Sequence, residues 1–271
     1  MNRKLIAIDL DGTTLNNDSQ VTKETKQTIQ RVIDQGHIVS IATGRPFRTS
    51  AQFYKQLELE TPIVNFNGAL CHHPKDSQWE NSYHSSLERD IALSLISLSQ
   101  YSTVKLISAE SLDHVYLDRS EEYPYTGGVP LTEAQTLPFT EEALQENPTS
   151  VNVFTGEEQS IPYLQDKIVE RYGNEIEVRT WGGPTPTLEI VSTGIQKAMG
   201  VEKIANYYEI DRKNILAFGD EANDYEMIQY AGHGVVMKNG IDSLKEVSDA
   251  ITSVTNHENG LANYLSTYFD L

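Results

Sequence analysis

The sequence predicts an α/β protein in two parts: a parallel-sheet core assembled from both ends of the chain, and an α+β module inserted between them. Three observations carry this expectation. The front third of the 271 residues alternates short, continuously apolar runs with helix-like stretches. The middle offers strand candidates with partial apolar–polar alternation instead. From about Ile195 the first rhythm returns. Strand–helix–strand alternation implies parallel pairing. Strands covered on both faces are expected to be apolar throughout, whereas alternation marks a sheet with one face towards solvent.

The elements follow in order. KLIAIDLD (4–11) reads as the first strand, and TKETKQTIQRVIDQG (22–36) as an amphipathic helix stopped by Gly36. HIVSIAT (37–43) is a second strand, RTSAQFYKQLEL (48–59) a second helix and PIVNFNG (62–68) a third strand. In the middle, TVKLIS, HVYLD, SVNVFTG and EIEVRT are strand candidates, and 85–100 and 159–173 are helix candidates. A Gly-, Pro- and Thr-rich loop lies around 123–140. In the last third, helix 195–208, strand 214–220 and helix 222–231 precede a strand, helix, strand and helix that run to residue 269. The chain is expected to cross between the two parts near 80–86 and 189–194.

Composition narrows the function. A net charge of −18 opposes nucleic-acid and anionic-membrane partners, which would be repelled over most of the surface. It leaves a small anionic substrate open, because a cation and a few basic groups reverse the field locally. Cys71 is the only cysteine, so no intrachain disulfide is possible, and the expected location is the cytoplasm. The N-terminal residues turn acidic too early for a signal peptide, and no apolar run is long enough to span a bilayer.

Two acidic clusters stand out. Asp9 and Asp11 end the first strand, and side chains two apart on a strand point the same way. Asp220, Asn223 and Asp224 follow a second apolar strand, NILAF. Ligands of open α/β sheets bind at the carboxyl ends of strands. If the two strands are neighbours, at least three carboxylates converge there, and a hard divalent cation such as Mg²⁺ is the economical explanation. Either cluster alone could be no more than a helix cap. A calcium loop of EF-hand type fails, because Thr14 and Gln20 occupy its sixth and twelfth positions. IATGRP places Thr43, Gly44 and Arg45 at a strand-to-helix junction, where a hydroxyl and backbone N–H groups can hold an anion.

These stretches resemble the haloacid dehalogenase superfamily, in its Cof-type phosphatase branch with a type IIB cap. The motifs match in order: DLDGT (9–13), ATGR (42–45), Lys197, and GDEAND (219–224), with NGA (67–69) and GVVMKNG (234–240). Ala198, where the branch commonly has Gly, and Glu221, in place of a small residue, are departures. The resemblance implies a Rossmann-like catalytic core over 1–83 and 192–271, and an inserted α+β cap domain over 84–191 that sets specificity. It implies a Mg²⁺-dependent phosphatase acting on a small phosphorylated metabolite, such as a sugar phosphate, through an aspartyl-phosphate. Asp9 would be the nucleophile and Asp11 the general acid–base. Asp9, the Asp11 backbone carbonyl and Asp220 would hold the metal. Thr43, Gly44, Lys197 and Asn223 would bind the phosphoryl group, with Asp224 orienting its neighbours. VRTWGGPTPTLEI (178–190) is the candidate substrate-facing edge of the cap, although Arg179 and Trp181 also suit purely structural roles. A phosphomutase on the same core and a non-catalytic phosphometabolite-binding protein are the alternative readings. Oligomeric state and the identity of the phosphomonoester are not legible.

Overall fold

The computed structural model describes residues 3–119, 132, 135–181 and 186–271. The chain divides into two compact units, 1–83 with 196–271, and 84–195.

The first unit opens with β1 (Leu5–Ile8), whose four residues are all buried. α1 (Lys23–Asp34) follows, capped by the Thr22 side chain, which accepts from Thr25 N–H. Its buried face is Thr25, Thr28, Ile29 and Val32, at helical spacing. β2 (Ile38–Ile41), α2 (Phe47–Gln56), β3 (Ile63–Asn65) and β4 (Leu70–His72) complete the front, and β3 and β4 pair antiparallel. The first crossing runs through the short strand β5 (Tyr83–His84).

The second unit contains α3 (Arg89–Leu95), β6 (Val104–Glu110), β7 (Val115–Leu117), β8 (Thr136–Pro138), β9 (Ser150–Thr155), α4 (Ile161–Tyr172), β10 (Ile176–Trp181) and β11 (Thr187–Ser192). Its six strands lie in the order β10-β11-β9-β6-β7-β8. One face of this sheet, with Ile107, Val151, Val153, Leu188 and Ile190, joins Ala92, Leu95, Leu164 and Ile168 of α3 and α4 in one apolar cluster. α3 is shorter than the 85–100 stretch predicts, because Ile96–Gln100 winds more tightly. The Ser94 and Ser97 hydroxyls donate there to carbonyls three residues back, in competition with the regular ladder. Trp181's side chain, residues 182–185 and most of the expected loop at 123–140 lie outside the described residues.

The chain then returns to the first unit with α5 (Lys197–Tyr207), β12 (Ile215–Gly219), α6 (Tyr225–Tyr230), β13 (His233–Val236), α7 (Asp242–Lys245), β14 (Ala250–Ile251) and α8 (Gly260–Tyr268). The second crossing falls at 195/196 rather than 191/192. Thr193 is tied to the Asn174 carbonyl, and Arg179 to the carbonyl of Ile195. The principal sheet has the order β14-β13-β12-β1-β2, parallel throughout. A parallel bridge between Ala42 and Val64 continues it towards β3. β1 thus sits between β2 and β12, with Ile8 level with both Ile41 and Phe218. That register brings the residues after all three strands to one end of the sheet.

Candidate active site

Asp9 is the first residue beyond β1, and its N–H donates to the Phe218 carbonyl at 3.0 Å. Beyond it the chain turns tightly over Leu10–Thr14, closed by Leu15 N–H on the Leu10 carbonyl and by the Thr14 hydroxyl on the Asp9 carbonyl. Gly12 is required at this turn. Its φ is +69°, and a Cβ there would lie 2.0 Å from the Asp220 carboxylate.

The turn corrects one expectation. Asp9 and Asp11 do not lie side by side by strand alternation, because the strand has already ended. Asp9 is buried and its Oδ1 accepts from Lys197 Nζ at 2.7 Å. Asp11 is half exposed and is gripped by Arg45 through two bonds, Nε to Oδ2 at 2.7 Å and Nη2 to Oδ1 at 2.6 Å. This is the bidentate geometry that suits a guanidinium and a carboxylate.

Lys197 opens α5 and is fully withdrawn from water. Its ammonium bridges Asp9 Oδ1 and Asp224 Oδ1, each at 2.7 Å. Burial opposes its charge, yet Asp224 and Asp9 outweigh that and hold the ammonium above its ordinary value. Asp224 is equally buried. Its second oxygen accepts from the Asp220 and Glu221 N–H groups at 2.9 and 3.2 Å, so both of its oxygens are committed. Asp220 follows β12, and its Oδ1 accepts from the Thr13 hydroxyl at 2.8 Å. Of the two departures, Ala198 is buried beside Lys197 and Glu221 is exposed.

Asp9, Asp220 and Asp224 each offer a carboxylate oxygen within 4.8 Å of the others. Three carboxylates face one ammonium. Burial pushes the Asp9 carboxyl up to about 7, with Asp224 and Asp11 adding to the rise and Lys197 opposing it. Burial, then Asp9 and Asp224, push Asp220 up to about 8. Protons are retained where the negative charge is too dense, and a divalent cation would displace them. The donor set fits such an ion. It is all oxygen, and Asp9 Oδ2 and Asp220 Oδ2 accept no hydrogen bond from any described residue.

The remaining predicted residues gather beside this cluster. Thr43 is buried, and its hydroxyl oxygen accepts from Arg45 N–H at 3.2 Å. A Cβ on Gly44 would lie 2.9 Å from the Asn67 amide. Asn67 N–H donates to the Thr43 carbonyl at 3.1 Å, and Asn67 Oδ1 accepts from Asn223 Nδ2 at 2.8 Å. Asn67 therefore ties the Thr43–Gly44 turn to Asn223. Arg45, Asn67 and Thr13 are the functional candidates that sequence reasoning left without a role, although all three lie within quoted motifs. Arg179 bonds to Glu177 and to the Ile195 carbonyl, as a structural strand residue does.

Among the described residues, no helix is long and apolar enough to cross a membrane. The model of the haloacid dehalogenase-like hydrolase family matches residues 6–265. The chain is 43% identical over 267 residues, 98% of each chain, to the 5-amino-6-(5-phospho-D-ribitylamino)uracil phosphatase YitU of Bacillus subtilis strain 168. It superposes on a haloacid dehalogenase-like hydrolase from Bacteroides thetaiotaomicron with a TM-score of 0.81 at 24% identity, covering 99% of this chain and 100% of that one. The subclass IIB sugar phosphatase BT4131 matches at a TM-score of 0.80 and 19% identity, covering 99% and 100%.

Proposed function

The chain belongs to the haloacid dehalogenase-like hydrolases, in the Cof-type branch, and on that premise we propose that it is a Mg²⁺-dependent phosphatase of small phosphomonoesters working through an aspartyl-phosphate on Asp9. The observation that carries this reading is the buried Lys197 ammonium, shared by Asp9 and Asp224 beside the unbonded Asp220 Oδ2. A lysine held at that place neutralises a nucleophile and an incoming phosphoryl group together.

Asp9 and Asp220, with the Asp11 backbone carbonyl, would hold Mg²⁺, which when bound supplies charge neutralisation at the phosphoryl oxygens and keeps the carboxylates ionised. The Asp9 carboxylate attacks phosphorus through one oxygen and keeps the other for the cation, and the bond from phosphorus to the leaving oxygen breaks. Asp11, released from Arg45 and protonated, gives its proton to that oxygen. Asp11 then accepts a proton from water as the water attacks phosphorus, which returns Asp9 and frees inorganic phosphate. Thr43, the Gly44 N–H, Lys197 and the second Nδ2 hydrogen of Asn223 bind phosphoryl oxygens. Asp224 orients Lys197. The inserted unit sets the preference for the leaving group. Cys71, the one cysteine of the sequence, is free and buried in the first unit, in keeping with a cytoplasmic enzyme.

The identity to YitU makes 5-amino-6-(5-phospho-D-ribitylamino)uracil the first substrate to test. Phosphate release is measured on that compound, on a panel of sugar phosphates and on nitrophenyl phosphate, with Mg²⁺ and with excess chelator. Turnover that stops with chelator and returns with Mg²⁺ is expected. Full turnover in chelator, or no phosphate release from any monoester, would contradict the reading.

A further inference from the structure

Asn65 ends β3, whose other residues are Ile63 and Val64, and it is 0% exposed, yet the chemistry above gives this buried amide no role. We propose that Asn65 is a positioning residue: it fixes the backbone of Arg45, and through the Arg45 fork it sets the resting place of Asp11. This rests on the phosphatase reading and deepens it, by naming what places the acid–base of that reading between turnovers.

β3 is buried throughout, and an amide in such a strand costs free energy unless its polar atoms are paired. Those of Asn65 are all paired. Nδ2 donates to the Arg45 carbonyl at 2.8 Å and to the Ser50 hydroxyl oxygen at 2.9 Å. Oδ1 faces His72 Nε2 at 3.2 Å. The Arg45 carbonyl can only accept, which fixes the orientation of the amide. Oδ1 can only accept as well, so His72 Nε2 carries a hydrogen. The His72 ring is itself held edge-on against Phe47, the first residue of α2.

What the amide holds is the junction between β2 and α2. Arg45 precedes Pro46, which has no N–H to offer the junction and biases Arg45 towards extended backbone. Arg45 N–H donates to the Thr43 hydroxyl oxygen at 3.2 Å, so Thr43 and Asn65 hold the residue on both sides of its Cα. The Ser50 hydroxyl passes the contact on, donating to the Pro46 carbonyl at 3.2 Å.

From this fixed backbone the Arg45 side chain runs past the Phe53 ring, 5.2 Å from its centre, to its two bonds with Asp11 at 2.6 and 2.7 Å. A planar fork meets a carboxylate through two bonds only within a narrow range of positions, so a shift of the Arg45 backbone is felt at Asp11. Asn65 bonds to no atom of Asp9, Asp11 or Asp220; its effect passes through Arg45.

Asn65→Leu removes the amide at nearly constant volume. The Phe66 N–H still reaches the Arg45 carbonyl, at 3.3 Å, so the variant is expected to fold. In rapid-mixing single turnovers its first step should slow at least about tenfold on the alkyl monoester that the wild type hydrolyses fastest, and less than about twofold on nitrophenyl phosphate, whose leaving group needs no proton. A merely structural role would slow both alike. In an Arg45→Lys background the same change should cost less than about twofold on the alkyl monoester, because the fork it positions is already gone. Proton exchange followed by NMR reads the link without turnover. The Arg45 Nε–H resonance, identified by its absence in Arg45→Lys, should exchange with water at least about tenfold faster in Asn65→Leu. If Asn65→Leu does not fold, His72→Phe withdraws the donor from Asn65 Oδ1 and keeps a ring against Phe47. It should show the same selective loss, which His72→Gln, with an N–H restored, should reverse. Equal losses on both substrates, a loss in the Arg45→Lys background as large as in the wild type, an unchanged Arg45 Nε–H exchange rate, or a His72→Phe loss that His72→Gln does not reverse would overturn the proposal. If the wild type releases no phosphate from any monoester, the phosphatase reading falls, and the exchange rate alone decides whether Asn65 holds Arg45 on Asp11.

Discussion

In the proposed mechanism, Asp11 and Arg45 form the residue pair on which turnover depends most finely. As the proposed general acid, Asp11 would have to leave a two-bond ion pair in which both of its oxygens are occupied. On that proposal Arg45 would be a positioning residue that determines where Asp11 rests between turnovers. Arg45→Lys keeps the charge and loses the planar fork. We expect kcat for an alkyl phosphate to fall by up to about 10²-fold, the scale of a misplaced catalytic group. Nitrophenyl phosphate, whose leaving group departs without a proton, should suffer much less in its first step. The comparison is a pair of rapid-mixing, single-turnover measurements of the first step, and equal losses on the two substrates would argue that Arg45 serves the phosphoryl group instead. This pairing was not legible in the sequence. The period of two along a strand predicts parallel side chains at 9 and 11, and only the left-handed Gly12 turn shows why they part.

At the scale of elements, the link between β3 and β4 stands out. Phe66, Asn67 and Gly68 have φ values of +49°, +53° and +103°, and all three residues are buried. Left-handed backbone at a bulky residue costs roughly 1–3 kcal/mol, and Asn tolerates it better than most. The strain places Asn67 between the Thr43 carbonyl and Asn223. Asn67→Gly accepts the backbone but loses the amide, whereas Asn67→Ala loses the amide and resists the backbone. Both should raise KM for phosphomonoesters by a similar factor, while only the Ala variant loses stability in denaturant, by about 1–2 kcal/mol. A Gly variant with wild-type KM would remove Asn67 from the site. Sequence reasoning reached the elements unevenly, for physical reasons. β1 and β12 carry no polar side chain and β2 only the buried Ser40, because both faces are covered, and they read as strands at once. β4 and β8 are three-residue strands with no period to read, and β11 is defined by pairing with the preceding β10 and the more distant β9. The acidic clusters were legible as a converging set, because apolar strands end in them. The depth of Lys197 was not, since a lysine at a helix start gives no sign that it is buried.

Across the whole molecule, the site adds buried negative charge to a chain already at −18. The consequence is a pH dependence of stability that a cation should reverse. Asp9 at about 7 and Asp220 at about 8 both lie above the ordinary 3.8, so the folded state binds more protons than the unfolded chain. Their contribution is fully present below 3.8 and is lost as pH rises through 7 and 8. Burial lowers His37, His72, His73 and His84, with His72 near 4, so their contribution is present above 6.5 and fades only below it. The interval from 6.5 to 8 therefore isolates the acidic pair. In chelator, Tm should fall across that interval, and saturating Mg²⁺ at pH 8 should restore it, by about 2.7 kcal/mol at a hundredfold excess over Kd. A flat profile that ignores Mg²⁺ would contradict the cation site. The covalent step on Asp9 is isolated by Asp11→Asn. Mixed rapidly with nitrophenyl phosphate and Mg²⁺, this variant should release a burst approaching one nitrophenolate per active site and then turn over slowly, with mass spectrometry finding the phosphoryl group on Asp9. No burst and no modified Asp9, in a variant that still binds Mg²⁺, would contradict Asp9 as the nucleophile.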